Sequence, residues 1–246
     1  QVTINKDVSG ASGLFDVNAN GVIYAKNIHE KVYPASLTKV MTAIVALENG
    51  RLEQILTATD AIIITESGAQ LCGLKPGDTM TLDQALRILL LYSANDVAMM
   101  IAENIGGTVE NFGSMMNQEA KSLGATNSNF VNPHGLTEEE QYTTAYDLYL
   151  IFNEAIKNDT FKQMIQTTSY QTTYYDAGGR EKKVDYKTLV FFIGLFIVVE
   201  GAALNHNMPA QIFCTRQLDD LVEGIFDDGV GQACGDVRDG CALLLG

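Results

Sequence analysis

Tyr33-Pro34-Ala35-Ser36-Leu37-Thr38-Lys39-Val40-Met41-Thr42-Ala43 sets a serine and a lysine three residues apart at what reads as the first turn of a helix. Residues at i and i+3 share a helical face, so the Lys39 amine can lie beside the Ser36 hydroxyl. A serine hydroxyl is a poor nucleophile until a neighbour takes its proton. A lysine can take it once desolvation or nearby positive charge lowers its pKa. Two fixed positions recur by chance about once in a chain of this length, and Ser36 would also serve as a plain helix N-cap with Lys39 on a solvated face. The stretch raises a Ser-Lys acyl-transfer centre without deciding it.

Downstream, Val40, Met41, Ile44, Val45 and Leu47 keep helical spacing up to Gly50. A helix so apolar is a buried one, which leaves Ser36 at its N-terminal end facing a cleft, where free N–H groups and the dipole favour a developing oxyanion. Upstream, Gly13–Val17 and Gly21–Ala25 flank a polar turn and read as a β-hairpin. Thr81-Leu82-Asp83-Gln84 is a capping-box pattern that opens a helix reaching about Tyr92. Ser93-Ala94-Asn95 interrupts it, and Asp96 to Ile105 resumes helically until Gly106-Gly107. Thr108 to Leu123 and Thr144 to about Ile156 predict two more helices, and Tyr170–Tyr175 with Glu181–Tyr186 predict a second hairpin. The order predicts an α+β fold, with one antiparallel sheet built from both chain ends and a helical cluster on its face.

The chain has 246 residues and a formal charge of −14. Its length suits one large domain, and its acidity argues against nucleic acid and against anionic lipid headgroups. It opens at Gln1 with no initiator Met and no apolar leader, as expected of an exported protein whose signal peptide is absent from this sequence. The apolar run Leu189–Val199 is too short to span a bilayer. Of the four cysteines, Cys72, Cys214, Cys234 and Cys241, none forms a zinc-type pair; the last three leave a disulfide open in an oxidising compartment.

Ser93-Ala94-Asn95 sharpens the first motif. A second serine on a loop can relay protons between the lysine and a leaving amine, and Asn95 offers a donor and an acceptor to a substrate amide and to Lys39. Ser36 begins the single Ser-x-x-Lys of the chain and Ser93 its single Ser-x-Asn, about 57 residues apart. With these residues the chain resembles the serine-type D-alanyl-D-alanine carboxypeptidases, the low-molecular-mass penicillin-binding proteins, which share a fold with class A β-lactamases. Gly73-Leu74-Lys75-Pro76-Gly77-Asp78, Leu89–Asp96, Phe130-Val131-Asn132-Pro133-His134-Gly135-Leu136 and Thr143–Leu148 extend the likeness, which runs from about Gly13 to Tyr186.

The resemblance implies that Ser36 is acylated by the penultimate D-Ala carbonyl of a peptidoglycan stem pentapeptide, or by a β-lactam. Lys39 would be the general base, Ser93 the proton relay and Asn95 a substrate-positioning group, with no metal or cofactor. The Ser36 N–H would supply half of the oxyanion hole. The imidazole of His134, in a Pro-His-Gly turn, is read as structural.

The family's third motif, Lys-Thr-Gly on the strand bordering the cleft, is missing. Lys187-Thr188-Leu189 comes nearest, which makes Lys187 the candidate for the substrate carboxylate, but Leu189 puts a branched side chain where a bare backbone is needed. A rival alignment puts Glu200-Gly201-Ala202 in that place and leaves no lysine. Residues 187–246 thus diverge from the pattern within a single catalytic domain. The alternatives are a catalytically impaired penicillin-binding-like domain and, less favoured, a class A-like β-lactamase, whose Glu-x-x-Leu-Asn loop the chain lacks.

Overall fold

The computed structural model describes residues 10–17, 19–187, 210–215 and 242–244. Strands β1 (Ala11–Asp16) and β2 (Gly21–Lys26) form the antiparallel hairpin, with a bulge between Leu14 and Phe15. A 3₁₀ turn over Ala35–Leu37 leads into α1 (Thr38–Asn49), so Ser36 lies just ahead of the α-helix, in the tighter turn. Residues Thr38 to Ala46 of α1 are all buried, as a helix apolar on most faces must be.

Two short strands, β3 (Ile55–Thr57) and β4 (Thr79–Thr81), precede α2 (Leu82–Tyr92). The capping box forms as the sequence requires. Gln84 N–H donates to Thr81 Oγ1 at 3.2 Å, and Thr81 N–H donates to Gln84 Oε1 at 2.8 Å. Gln84 Nε2 also reaches the Thr173 carbonyl at 2.7 Å, tying the start of the helix to the later hairpin. Then come α3 (Asn95–Gly106), α4 (Val109–Ser122), α5 (Ala145–Ala155) and α6 (Asp159–Ile165). The seven-residue α6, capped by the Asn158 side chain, is too short for its periodicity to stand out in the sequence.

The second hairpin, β5 (Ser169–Tyr175) and β6 (Glu181–Lys187), departs from the sequence expectation. It does not join the sheet of the chain ends but pairs through β4 into a separate sheet, ordered β3-β4-β5-β6. The first sheet is β2-β1-β7-β8, where β7 (Ala210–Thr215) runs antiparallel to β1 from Ala11↔Thr215 to Asp16↔Ala210. Its last strand, β8 (Ala242–Leu244), pairs parallel to β7, so that sheet is mixed. An α+β class thus holds, with two sheets rather than one among the described residues. The run Leu189–Val199 and the Glu200-Gly201-Ala202 alternative lie outside the described residues, as do Cys234 and Cys241.

One core joins these layers. Helices α2, α3, α4 and α5 all pack on α1, and α5 also packs on β1 and β7. Phe15 on β1 stacks on Tyr149 of α5, ring centroids 4.3 Å apart. Surrounded this way, α1 carries its first turn, with Ser36 and Lys39, to the place where α2 ends and α3 begins.

Candidate active site

Ser36, Lys39, Ser93 and Asn95 meet at that junction. Lys39 is wholly buried, and its Nζ lies 3.2 Å from Ser36 Oγ, 2.7 Å from Asn95 Oδ1 and 2.6 Å from the His134 carbonyl oxygen. Ser93 Oγ lies 3.1 Å from Ser36 Oγ, 57 residues away in sequence. Ser93 takes the left-handed conformation (φ 59°) that ends α2, and Asn95 opens α3. A non-glycine residue held left-handed costs about 1–2 kcal/mol. Here that turn aims one hydroxyl at Ser36 and, two residues on, an amide at Lys39.

Burial lowers the Lys39 pKa from 10.5 to about 7, because no water remains to solvate the ammonium. A neutral amine has two N–H bonds and one lone pair. The two shortest contacts, to Asn95 and His134, are acceptors that use both N–H bonds. The lone pair is left for the Ser36 hydroxyl. The arrangement can therefore remove a proton from Ser36 near neutral pH and pass it through Ser93.

The His134 carbonyl is the part of the site that side-chain reasoning missed. Its imidazole is engaged within the turn: Nδ1 accepts from the Leu136 N–H at 3.1 Å. Burial, and then the charge of Lys39, pull its pKa down to about 4, so the ring is neutral at pH 7. A backbone acceptor leaves no residue type to recognise. The turn that supplies it could have been noticed, since Asn132-Pro133-His134-Gly135 is strong turn chemistry.

Asp96, the residue after Asn95, fastens the neighbouring loop. Its buried carboxylate accepts from the N–H groups of Cys72 at 2.9 Å, Gly73 at 2.8 Å and Leu74 at 3.0 Å, and Asn95 N–H donates to the Gln70 carbonyl at 2.8 Å. The 70–74 loop is thereby held beside Asn95. Lys187 ends β6 opposite Ser169, and its side chain lies outside what the structure describes. Among the described residues, no group of three or more His, Cys, Asp or Glu could hold a metal ion.

A family model for D-alanyl-D-alanine carboxypeptidases matches residues 4–188. The chain belongs to this family. Among its relatives, D-alanyl-D-alanine carboxypeptidase DacF of Bacillus subtilis is 35% identical over 170 residues, 66% of this chain and 41% of that protein. The Escherichia coli DacC enzyme is 32% identical over 148 residues, 56% and 37% of the two chains. The family likeness extends to solved structures. A Streptomyces DD-transpeptidase superposes with a TM-score of 0.70 at 27% identity, over 76% of this chain and 75% of that one. A Mycobacterium tuberculosis D-alanyl-D-alanine carboxypeptidase gives 0.67 at 30% identity, over 75% and 69%. The chain spans about two fifths of the length of these two curated relatives.

Proposed function

We propose that this domain is a serine D-Ala-D-Ala carboxypeptidase acting on peptidoglycan stem pentapeptides outside the cytoplasm, and that β-lactams acylate the same serine. The observation that carries this is the buried Lys39 amine, with a pKa of about 7, set 3.2 Å from Ser36 Oγ. Lys39 takes the Ser36 proton as Oγ bonds to the penultimate D-Ala carbonyl carbon. Ser93 passes that proton to the departing D-Ala nitrogen as the C–N bond breaks, leaving an ester on Ser36. Water, giving its proton to Lys39, then attacks the ester, and Ser36 recovers its hydrogen as the shortened peptide leaves. Asn95 holds the Lys39 amine and a substrate amide. Lys187 is the remaining candidate for the substrate carboxylate. No described helix is long and apolar enough to cross a membrane, and no span is assigned to this domain.

The absent Lys-Thr-Gly favours a second reading, a penicillin-binding-like domain of impaired turnover. Losing a charged contact to a substrate carboxylate costs on the order of 10²–10⁴ in rate. Intact-mass measurement after incubation with benzylpenicillin tests the centre itself. A lasting adduct that disappears in Ser36→Ala is expected, and no adduct would sink the acylation chemistry. Release of D-Ala from diacetyl-Lys-D-Ala-D-Ala then separates an active enzyme from an impaired one. Rapid β-lactam turnover instead of a lasting adduct would favour a β-lactamase.

A further inference from the structure

Behind the His134 carbonyl lies a buried polar network that the acyl-transfer steps do not touch. Gln141, 1% exposed, uses both ends of its amide. Its Oε1 accepts from the N–H groups of Val131 at 3.0 Å and Asn132 at 2.9 Å. Its Nε2 donates to Asn132 Oδ1 at 3.0 Å and to Thr38 Oγ1, at the start of α1, at 3.4 Å. Asn132 closes the turn from inside. Its Oδ1 accepts from Gly135 N–H at 2.7 Å, and its Nδ2 donates to the Leu136 carbonyl at 2.9 Å. One turn further along α1, Thr42 Oγ1 donates to the Pro133 carbonyl at 2.7 Å. Two buried amides whose hydrogen-bonding groups are used this fully admit few other arrangements. What they fix is the carbonyl between Pro133 and Gly135, held 2.6 Å from Lys39 Nζ.

We propose that Gln141, through Asn132 and the 132–136 turn, is a positioning residue for Lys39: it holds the His134 carbonyl where that oxygen binds one amine proton and so aims the nitrogen lone pair at Ser36. The inference rests on Lys39 being the base. With Asn95 alone as acceptor, the amine would turn about its Cε–Nζ bond among three staggered positions, and fewer of them point the lone pair at Ser36. The same carbonyl favours the charged amine, because a hydrogen bond to an ammonium is stronger than one to a neutral amine. Two other titratable side chains face this region: from the turn the His134 ring, neutral at pH 7, and from α3 Asp96, whose carboxylate accepts from the N–H groups of residues 72–74.

The test compares the full chain with its Gln141→Met variant, which keeps side-chain length and removes the hydrogen bonds of the Gln141 amide to Val131, Asn132 and Thr38. Lysines labelled with carbon-13 at Cε report the Lys39 titration directly, its signal assigned by its loss in Lys39→Met. Gln141→Met is expected to lower that titration midpoint by about half a pH unit or more. Its saturating acylation rate with benzylpenicillin should fall about tenfold at a pH where the amine is neutral in both proteins, part of what a well-placed base supplies. Circular dichroism checks that the variant is folded. An unchanged midpoint in folded Gln141→Met overturns the proposal, whatever the rate does. Failure of the wild type to acylate would count against the carboxypeptidase reading alone, since the titration reads the amine without turnover. If Gln141→Met does not fold, Asn132→Ser keeps a short acceptor for the turn, drops the side-chain links to the Gln141 Nε2 and the Leu136 carbonyl, and is judged by the same midpoint.

Discussion

Lys39 pairs full burial with short contacts, and the pH dependence of the site follows from that pairing. Only the neutral amine can accept the Ser36 proton. Acylation by benzylpenicillin should therefore rise with pH through about 7, falling roughly tenfold per unit below it. A stopped-flow pH profile flat from pH 5 to 9 would contradict this. Lys39→Arg puts a permanent cation in its place and should cost on the order of 10²–10⁴ in acylation rate. His134→Ala keeps the backbone oxygen that touches Lys39 and removes a ring already neutral above about pH 4. It should change acylation by less than about tenfold and leave the rising limb where it is. A loss matching that of Lys39→Arg would make the imidazole itself part of the chemistry.

At the scale of elements, two turns press together to make the site. Ala35 holds a positive φ of 46° ahead of Ser36, and Gly135 faces it with φ +91°. A β-carbon at Gly135 would overlap the Ala35 carbonyl. Gly135→Ala should therefore push the two turns apart, destabilise the protein by about 1–3 kcal/mol and remove most acylation. Denaturant melts and adduct formation measure the two effects, and wild-type acylation in this variant would show that the contact does not set the nucleophile. Thr81 gives the contrast. Its capping box starts α2 away from the chemistry, so Thr81→Ala should cost about 1 kcal/mol and leave acylation unchanged. This helix start could be read from residues 81–84, because a cap involves neighbours in sequence. The pairing of the second hairpin could not. Its strands satisfy each other locally, and the partner beyond them is decided by how β4 and α2 lie against it.

For the molecule as a whole, the same lysine is a stability cost. Its pKa is 10.5 for a lysine side chain in water and about 7 in the fold, so between those values the unfolded chain binds the extra proton. Stability from this group thus rises with pH across that window, and the full cost of burying the cation is felt below pH 7. Lys39→Met should be more stable than the wild type at pH 6 by a few kcal/mol, roughly as the drop from 10.5 to about 7 requires. The advantage should fade by about pH 10. Urea unfolding of both proteins at the two pH values measures this. A variant no more stable at pH 6 would mean that the ammonium keeps its solvation in the fold.

The sequence by itself determined what depends on near neighbours. Ser36 and Lys39 share a face because they are three residues apart. The helices start at Thr81, Thr108 and Thr144 because each threonine accepts from an N–H three residues on. The Ser93 break follows from its own backbone conformation. Only the tertiary structure decided the rest. Lys39 has its pKa lowered to about 7 because tertiary packing buries it, with α3 and a distant turn supplying its short contacts. Ser93 and Asn95 reach it because α2 and α3 pack on α1. The acceptor that completes its shell is a backbone carbonyl, a group every residue possesses, and so only its position in space distinguishes it.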